Sequence, residues 1–137
     1  MTANTNPIFT LTPVVIGQLI STANTNRDGS GTLGHVISGG VNGTRISKIT
    51  IQASGSTAAG MVRLFIDNSS GSTTGSSVWL WKEDEVDAIA GSASAIVHNS
   101  TISLVGETAL ILPYGFSLKA STHYGENFYV IAEGGDY

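Results

Sequence analysis

The sequence predicts an all-β fold: an antiparallel two-sheet sandwich, jelly-roll-like, of about eight to nine strands, with a small β-barrel as the alternative. Three observations carry this. Segments of about 5–8 residues rich in β-branched and aromatic side chains recur, with glycine-rich turns between them. No stretch has a convincing amphipathic helical period. The polar half of the 137 residues is built from 17 Ser, 15 Thr and 17 Gly, while only 12% are charged. Ordinary domains carry about 25% charge, so this surface suits strand edges and turns better than helix exteriors.

The elements follow in order. Pro13 disfavours helix just before it, and Val14 to Ile20 is a β-branched strand. Thr25 to Gly31 (TNRDGSG) is a turn cluster, because Asn and Asp tolerate the left-handed region and Gly prefers it. Leu33 to Ile37 is a short strand, followed by Gly39-Gly40 and by Asn42-Gly43, a hairpin dipeptide. Arg45 to Ala53 is a strand whose phase slips between Ile46 and Ile49, as a bulge would produce. In Met61 to Asp67, Val62, Leu64 and Ile66 share one face with period two.

Asn68 to Ser77 is a loop of small polar residues, and Val78 to Trp81 places both tryptophans on the face opposite Val78 and Leu80. Glu83 to Ala90 fits either one helical turn or a strand entry. Ala95 to Val105 sets Ile96, Ile102 and Leu104 on one face, with His98 and Ser100 on the same side. Thr108 to Leu112, Phe116 to Ala120 and Phe128 to Ala132 complete the strands. The domain reading is an extended N-terminal arm, 1–12, and one β-sandwich, 13–137. Pro7 and Pro13 keep the arm extended around Ile8, Phe9 and Leu11.

Several function classes lose support. Net charge is −4, and six scattered Lys and Arg give no basic stripe for nucleic acid. No cysteine is present, which excludes a disulfide framework, a thiolate zinc site and a cysteine nucleophile. No run of 18 apolar residues suggests a membrane span, and the first residues lack the charged and apolar regions of a secretory signal.

The acidic run Glu83-Asp84-Glu85-Val86-Asp87 lacks the glycine and staggered spacing of a calcium loop and reads as a solvated turn. His35, His98 and His123 form no ligand pair, so no metal or cofactor is expected. Glycoside chemistry needs two carboxylates across a bond, and nothing readable places a pair among Asp67, Glu107, Glu126, Glu133 and Asp136. The chain is expected not to be an enzyme. Trp79 and Trp81, with Tyr114, Tyr124 and Tyr129, fit either a protein interface or core, where such rings concentrate, or a sugar-stacking platform.

The most specific wording lies in Leu112 to Thr122 (LPYGFSLKAST) and Asn127 to Tyr137 (NFYVIAEGGDY), with Ser54 to Asp67 and Thr25 to Gly29 behind it. These stretches, about half the chain, resemble small virion proteins of tailed bacteriophages. The resemblance implies a structural virion role, foremost a capsid decoration or cement protein. A tail, neck or fibre-associated part is the alternative, and a carbohydrate-binding module using Trp79 and Trp81 is a third reading. It implies the major capsid protein and a second copy of the chain, as a homotrimer, for partners, with a glycan as a further possibility. It also implies synthesis in the host bacterial cytoplasm and a place on the outer capsid surface of the virion. The candidate interface residues are Ile8, Phe9, Leu11, Trp79, Trp81, Tyr114 and Tyr137.

Overall fold

A computed structural model describes residues 9–68 and 77–137; Ile8 and most of the Asn68–Ser77 loop lie outside the described residues. The strands are β1 (Thr12–Ile20), β2 (Gly34–Ser38), β3 (Thr44–Ala53), β4 (Gly60–Asp67), β5 (Val78–Val86), β6 (Asn99–Ser103), β7 (Leu110–Leu112), β8 (Ser117–Thr122) and β9 (Phe128–Asp136). They form two antiparallel sheets in a β-sandwich, not closed into a barrel. The first sheet has the order β1-β9-β3-β6, with β7 also on β3; the second has β2-β8-β4-β5. The chain changes sheet at most connections, in the interleaved way of a jelly roll; β4 and β5 are a pair within the second sheet, and β7 is an added ninth strand on β3.

The slip in β3 is a bulge. Pairing with β9 skips Ser47, so Ile46 before it and Ile49, Ile51 and Ala53 after it all face the core. Ser47 Oγ donates to the Glu133 carbonyl at 3.2 Å, and the Ser47 carbonyl accepts from Leu104 N–H at 2.8 Å. Val62, Leu64 and Ile66 enter the same core with Leu118 and Ala120 of β8 and Phe128, Val130 and Ala132 of β9.

Three local expectations change. Asn42-Gly43 does not close a hairpin: Gly43 N–H bonds to the Gly40 carbonyl in a turn that carries the chain from β2 in one sheet to β3 in the other. The acidic run is not a solvated turn; of the two readings of Glu83 to Ala90 the strand holds, because β5 continues to Val86 and pairs with β4. Ile96 is 86% exposed, outside β6, whereas His98 is buried. β9 is also longer than expected, running through Gly134-Gly135, and here glycine is required. A methyl on Gly134 would lie 1.8 Å from the Arg45 carbonyl oxygen of β3.

Candidate interaction surface

One end of the sandwich is set by the register. Thr12 of β1 pairs with Asp136 of β9, Thr44 of β3 pairs with both Asp136 and Leu112 of β7, and Ser117 of β8 pairs with Ser38 and Asp67. Asp67 in turn pairs with Val78 of β5. The N-terminal arm, the 39–43 turn, the 113–116 turn and the start of β5 therefore share this end. Asp136 ties them together. Its carboxylate accepts from Thr44 Oγ1, which accepts from Gly40 N–H at 2.8 Å; its carbonyl accepts from Leu11 N–H at 2.7 Å. Tyr137 N–H donates to the Gly43 carbonyl at 3.1 Å, and Thr10 rests on Gly135.

The described candidate residues other than Trp81 lie at this end. Phe9 and Leu11 are 79% and 82% exposed, without cover from their own sandwich. Tyr114, 72% exposed, is the tip of a turn closed by Phe116 N–H to the Pro113 carbonyl, with Gly115 at φ 89° supplying the left-handed position. Tyr137 is half-buried beside Gly43.

The tryptophans separate. Leu64 faces Lys82 and Phe65 faces Leu80, so Trp81 is the extra residue of a bulge and packs against the core. Trp79 pairs with Ile66, stays 40% exposed, and meets Phe116 edge-on at 6.4 Å. Two flat rings side by side are not presented.

Val41, 80% exposed, and Ile111, 53% exposed, belong to the same surface and were not singled out from the sequence. A β-branched residue inside the Gly-Gly-Val-Asn-Gly turn was a readable signal for Val41. Ile111 stands out only once Leu110 and Leu112 are seen to face inward on the short strand β7.

A second feature lies on the outer face of the second sheet. Arg63, Phe65 and Asp67, interleaved with the core residues of β4, are buried too. The 21–33 segment crosses this face. Ala23 bridges to Thr122, Gly29 lies against Val78, and Arg27 grips Glu83 with two hydrogen bonds of 2.7 and 3.1 Å. Asn24 holds the segment's shape, donating to the Ser30 and Thr32 carbonyls and accepting from Asn26 N–H. Beneath it, Arg63 Nε stands 3.4 Å from Glu83, and Lys119 pairs with Asp67. Arg63 is buried, and its Nε and Nη1 have no hydrogen-bond acceptor. Losing its counterion should therefore cost more than losing the charge itself.

Glu83→Gln is expected to lower stability by about 2–3 kcal/mol, less than the ~3–5 of a fully buried pair because Glu83 keeps some exposure. Arg63→Met should stay within about 1 kcal/mol of the parent or gain, since a long apolar side chain replaces an under-bonded cation. Urea unfolding of both variants checks the contrast.

The hydrogen bond from Arg27 holds the Glu83 carboxyl below the usual carboxylate range, with Coulomb attraction to Arg27 and Arg63 adding to it; Ser30 does the same for Asp28. A depressed carboxylate contributes stability that is complete above its unfolded value of about 4 and is lost as pH falls through the lower folded value. The urea midpoint should hold from neutrality to about pH 5 and drop below about pH 4. Arg27→Ala should shrink that acid-side drop.

Among the described residues, no three His, Cys, Asp or Glu gather as metal ligands would. Two surface depressions, of about 190 Å³ beside Ser121 and about 350 Å³ beside Thr10 and Arg45, contain at most one carboxylate, Glu133. No family model, no curated protein and no solved structure matches the chain.

Proposed function

We propose that this chain is a non-catalytic structural protein of a bacteriophage virion, most specifically a decoration protein that binds the outside of the capsid and braces it. A single observation carries the reading: the arm leaves the sandwich at an end already rich in exposed apolar side chains. Phe9 and Leu11 are exposed where β1 begins, and Val41, Tyr114 and Trp79 are exposed in the turns and the strand start that share this end. Several large apolar side chains exposed at one end, on a chain so poor in charge, suit a surface that works by being covered.

The fold supports the reading without deciding it, since jelly rolls serve in capsid proteins and lectins alike. Burying each arm side chain is worth about 1.5–3 kcal/mol, while ordering the backbone costs ~1–2 kcal/mol per residue. Contact with another protein, with added backbone pairing, tips that balance. Electron microscopy of the source particle tests the proposal. Density for the sandwich on the outer shell, in icosahedral copy number, is the expected result. Density at the tail alone moves the protein to the tail, neck or fibre class, and a chain that binds glycans and joins no particle supports the sugar-binding reading. Deleting residues 2–9 should leave the melting temperature nearly unchanged, because the β1 ladder begins at Leu11, and should weaken attachment to the shell.

A further inference from the structure

We infer that residues 24–32, in the segment that crosses the second sheet, form a calcium site in which side-chain and main-chain oxygens surround one cation. The inference goes beyond the virion reading and does not depend on it. Asn24, Asn26 and Asp28 carry side-chain oxygen at alternate positions, Gly29 follows directly, and Ser30 comes next. This is the order of a calcium loop. Side-chain ligands stand at its first, third and fifth places, glycine at the sixth for the sharp turn, and a main-chain carbonyl at the seventh. Calcium takes amide and carbonyl oxygens as well as carboxylates, so such a site needs no cluster of acidic residues.

The backbone has the shape this spacing requires. Gly29 takes φ 85°, the left-handed position of the sharp turn. The carbonyls of Ser30 and Thr32 both accept from one atom, the Asn24 side-chain nitrogen, at 2.9 and 3.0 Å. Neighbouring oxygens around a calcium ion, with ligands at about 2.3–2.6 Å, stand about 3 Å apart. Asn24 is only 6% exposed, so its amide is held against these two carbonyls. A half-turn of the amide exchanges nitrogen for oxygen and brings three oxygens to one point, an arrangement that a cation holds together.

Asp28 supplies the charge. One of its oxygens accepts from both the N–H and the hydroxyl of Ser30, and the other accepts no hydrogen bond among the described residues. Asn26 is held alongside by its bond to Ser30 Oγ at 3.0 Å. Arg27 does not compete for the site, because its guanidinium is turned onto Glu83. The twelfth place of such a loop, where a bidentate Glu closes the shell, falls on His35. Asp28 is therefore the one carboxylate, and water completes the coordination. Half-saturation belongs at about 10⁻⁴–10⁻³ M calcium, the range of extracellular modules.

Calcium titration of the full chain, first dialysed against a chelator and followed by amide NMR, gives the first readout. Saturable shifts centred on Gly29, Ser30 and Gly31 are expected, and sodium chloride at equal ionic strength should not produce them. The melting temperature should rise by roughly 4–8 °C between chelator and about 10⁻² M calcium. Asp28→Asn keeps an oxygen for the Ser30 bonds but removes the charge, and should abolish both responses. Asn24→Asp should act in opposite directions. In chelator it melts below the parent, because a carboxylate faces two carbonyls with no donor between them; in calcium it recovers, with half-saturation about tenfold lower. A mere brace at Asn24 would instead lose stability equally in both conditions, and that result overturns the inference. So does an unmodified chain with no saturable shifts up to about 10⁻² M calcium, or an Asp28→Asn chain that keeps the full response. None of these outcomes bears on whether the chain belongs to a virion.

Discussion

Gly134→Ala is expected to lower stability by about 3 kcal/mol or more, beyond the usual range of a one-methyl insertion. The methyl would meet the Arg45 carbonyl oxygen at 1.8 Å and its carbon at 2.8 Å. Those atoms are backbone of the central strand β3 and cannot rotate aside as a side chain would. Relief requires β9 to move away from β3, and β9 is held on its other side by β1 along the whole length of both strands. The disturbance therefore spreads into the ladder that anchors the arm. Thermal unfolding followed by circular dichroism measures the loss. Hydrogen exchange should show protection falling first at Arg45 and Ile46. A Gly125→Ala variant, which meets only the Ser21 carbonyl at 3.6 Å, serves as a control with little effect.

Phe128→Ala should cost about 3–5 kcal/mol. Phe128 is 0% exposed and stands where β9 enters the sheet, opposite both Ile20 of β1 and Ala53 of β3. The ring also meets buried His98 edge-on at 6.3 Å, so truncation opens a cavity beside a polar group that has no acceptor or donor at Nε2. Unlike the glycine substitution, this loss sits at the end opposite the arm. Urea denaturation measures the loss.

How much the sequence discloses depends on how local the signal is. The alternation of Val62, Leu64 and Ile66 and the phase slip around Ser47 are properties of single strands, and both are legible because side chains alternate faces with period two. That Arg63, Phe65 and Asp67 are buried as well is not legible, because the covering 21–33 segment is remote from them in sequence. The glycines and Asx residues of that segment predict a turn, as found, without indicating where it lies. Asn42-Gly43 misleads for a related reason. The dipeptide favours a tight reversal, and the reversal occurs, but the change of sheet is decided by which strands β2 and β3 pair with.

The candidate surface was legible residue by residue and not as a surface. Phe9 and Leu11 stand out in the sequence as the apolar residues of the arm, and Trp79 and Tyr114 as aromatic rings, from widely separated places in the chain. Only the strand order, which brings the start of β1, the turns before β3 and β8 and the start of β5 to one end of the sandwich, gathers them there. Trp81 shows the reverse case. Its spacing from Trp79 predicts a shared role, and the β5 bulge gives the two rings different surroundings, one against the core and one at the rim.

As a structural part of a virion, the chain would act through the end that carries its arm. Quantitative mass spectrometry of purified virions tests that role most directly. The chain is expected in the particles at a fixed ratio to the shell protein. Particles that lack the chain, or that carry it only in traces varying between preparations, would contradict the account.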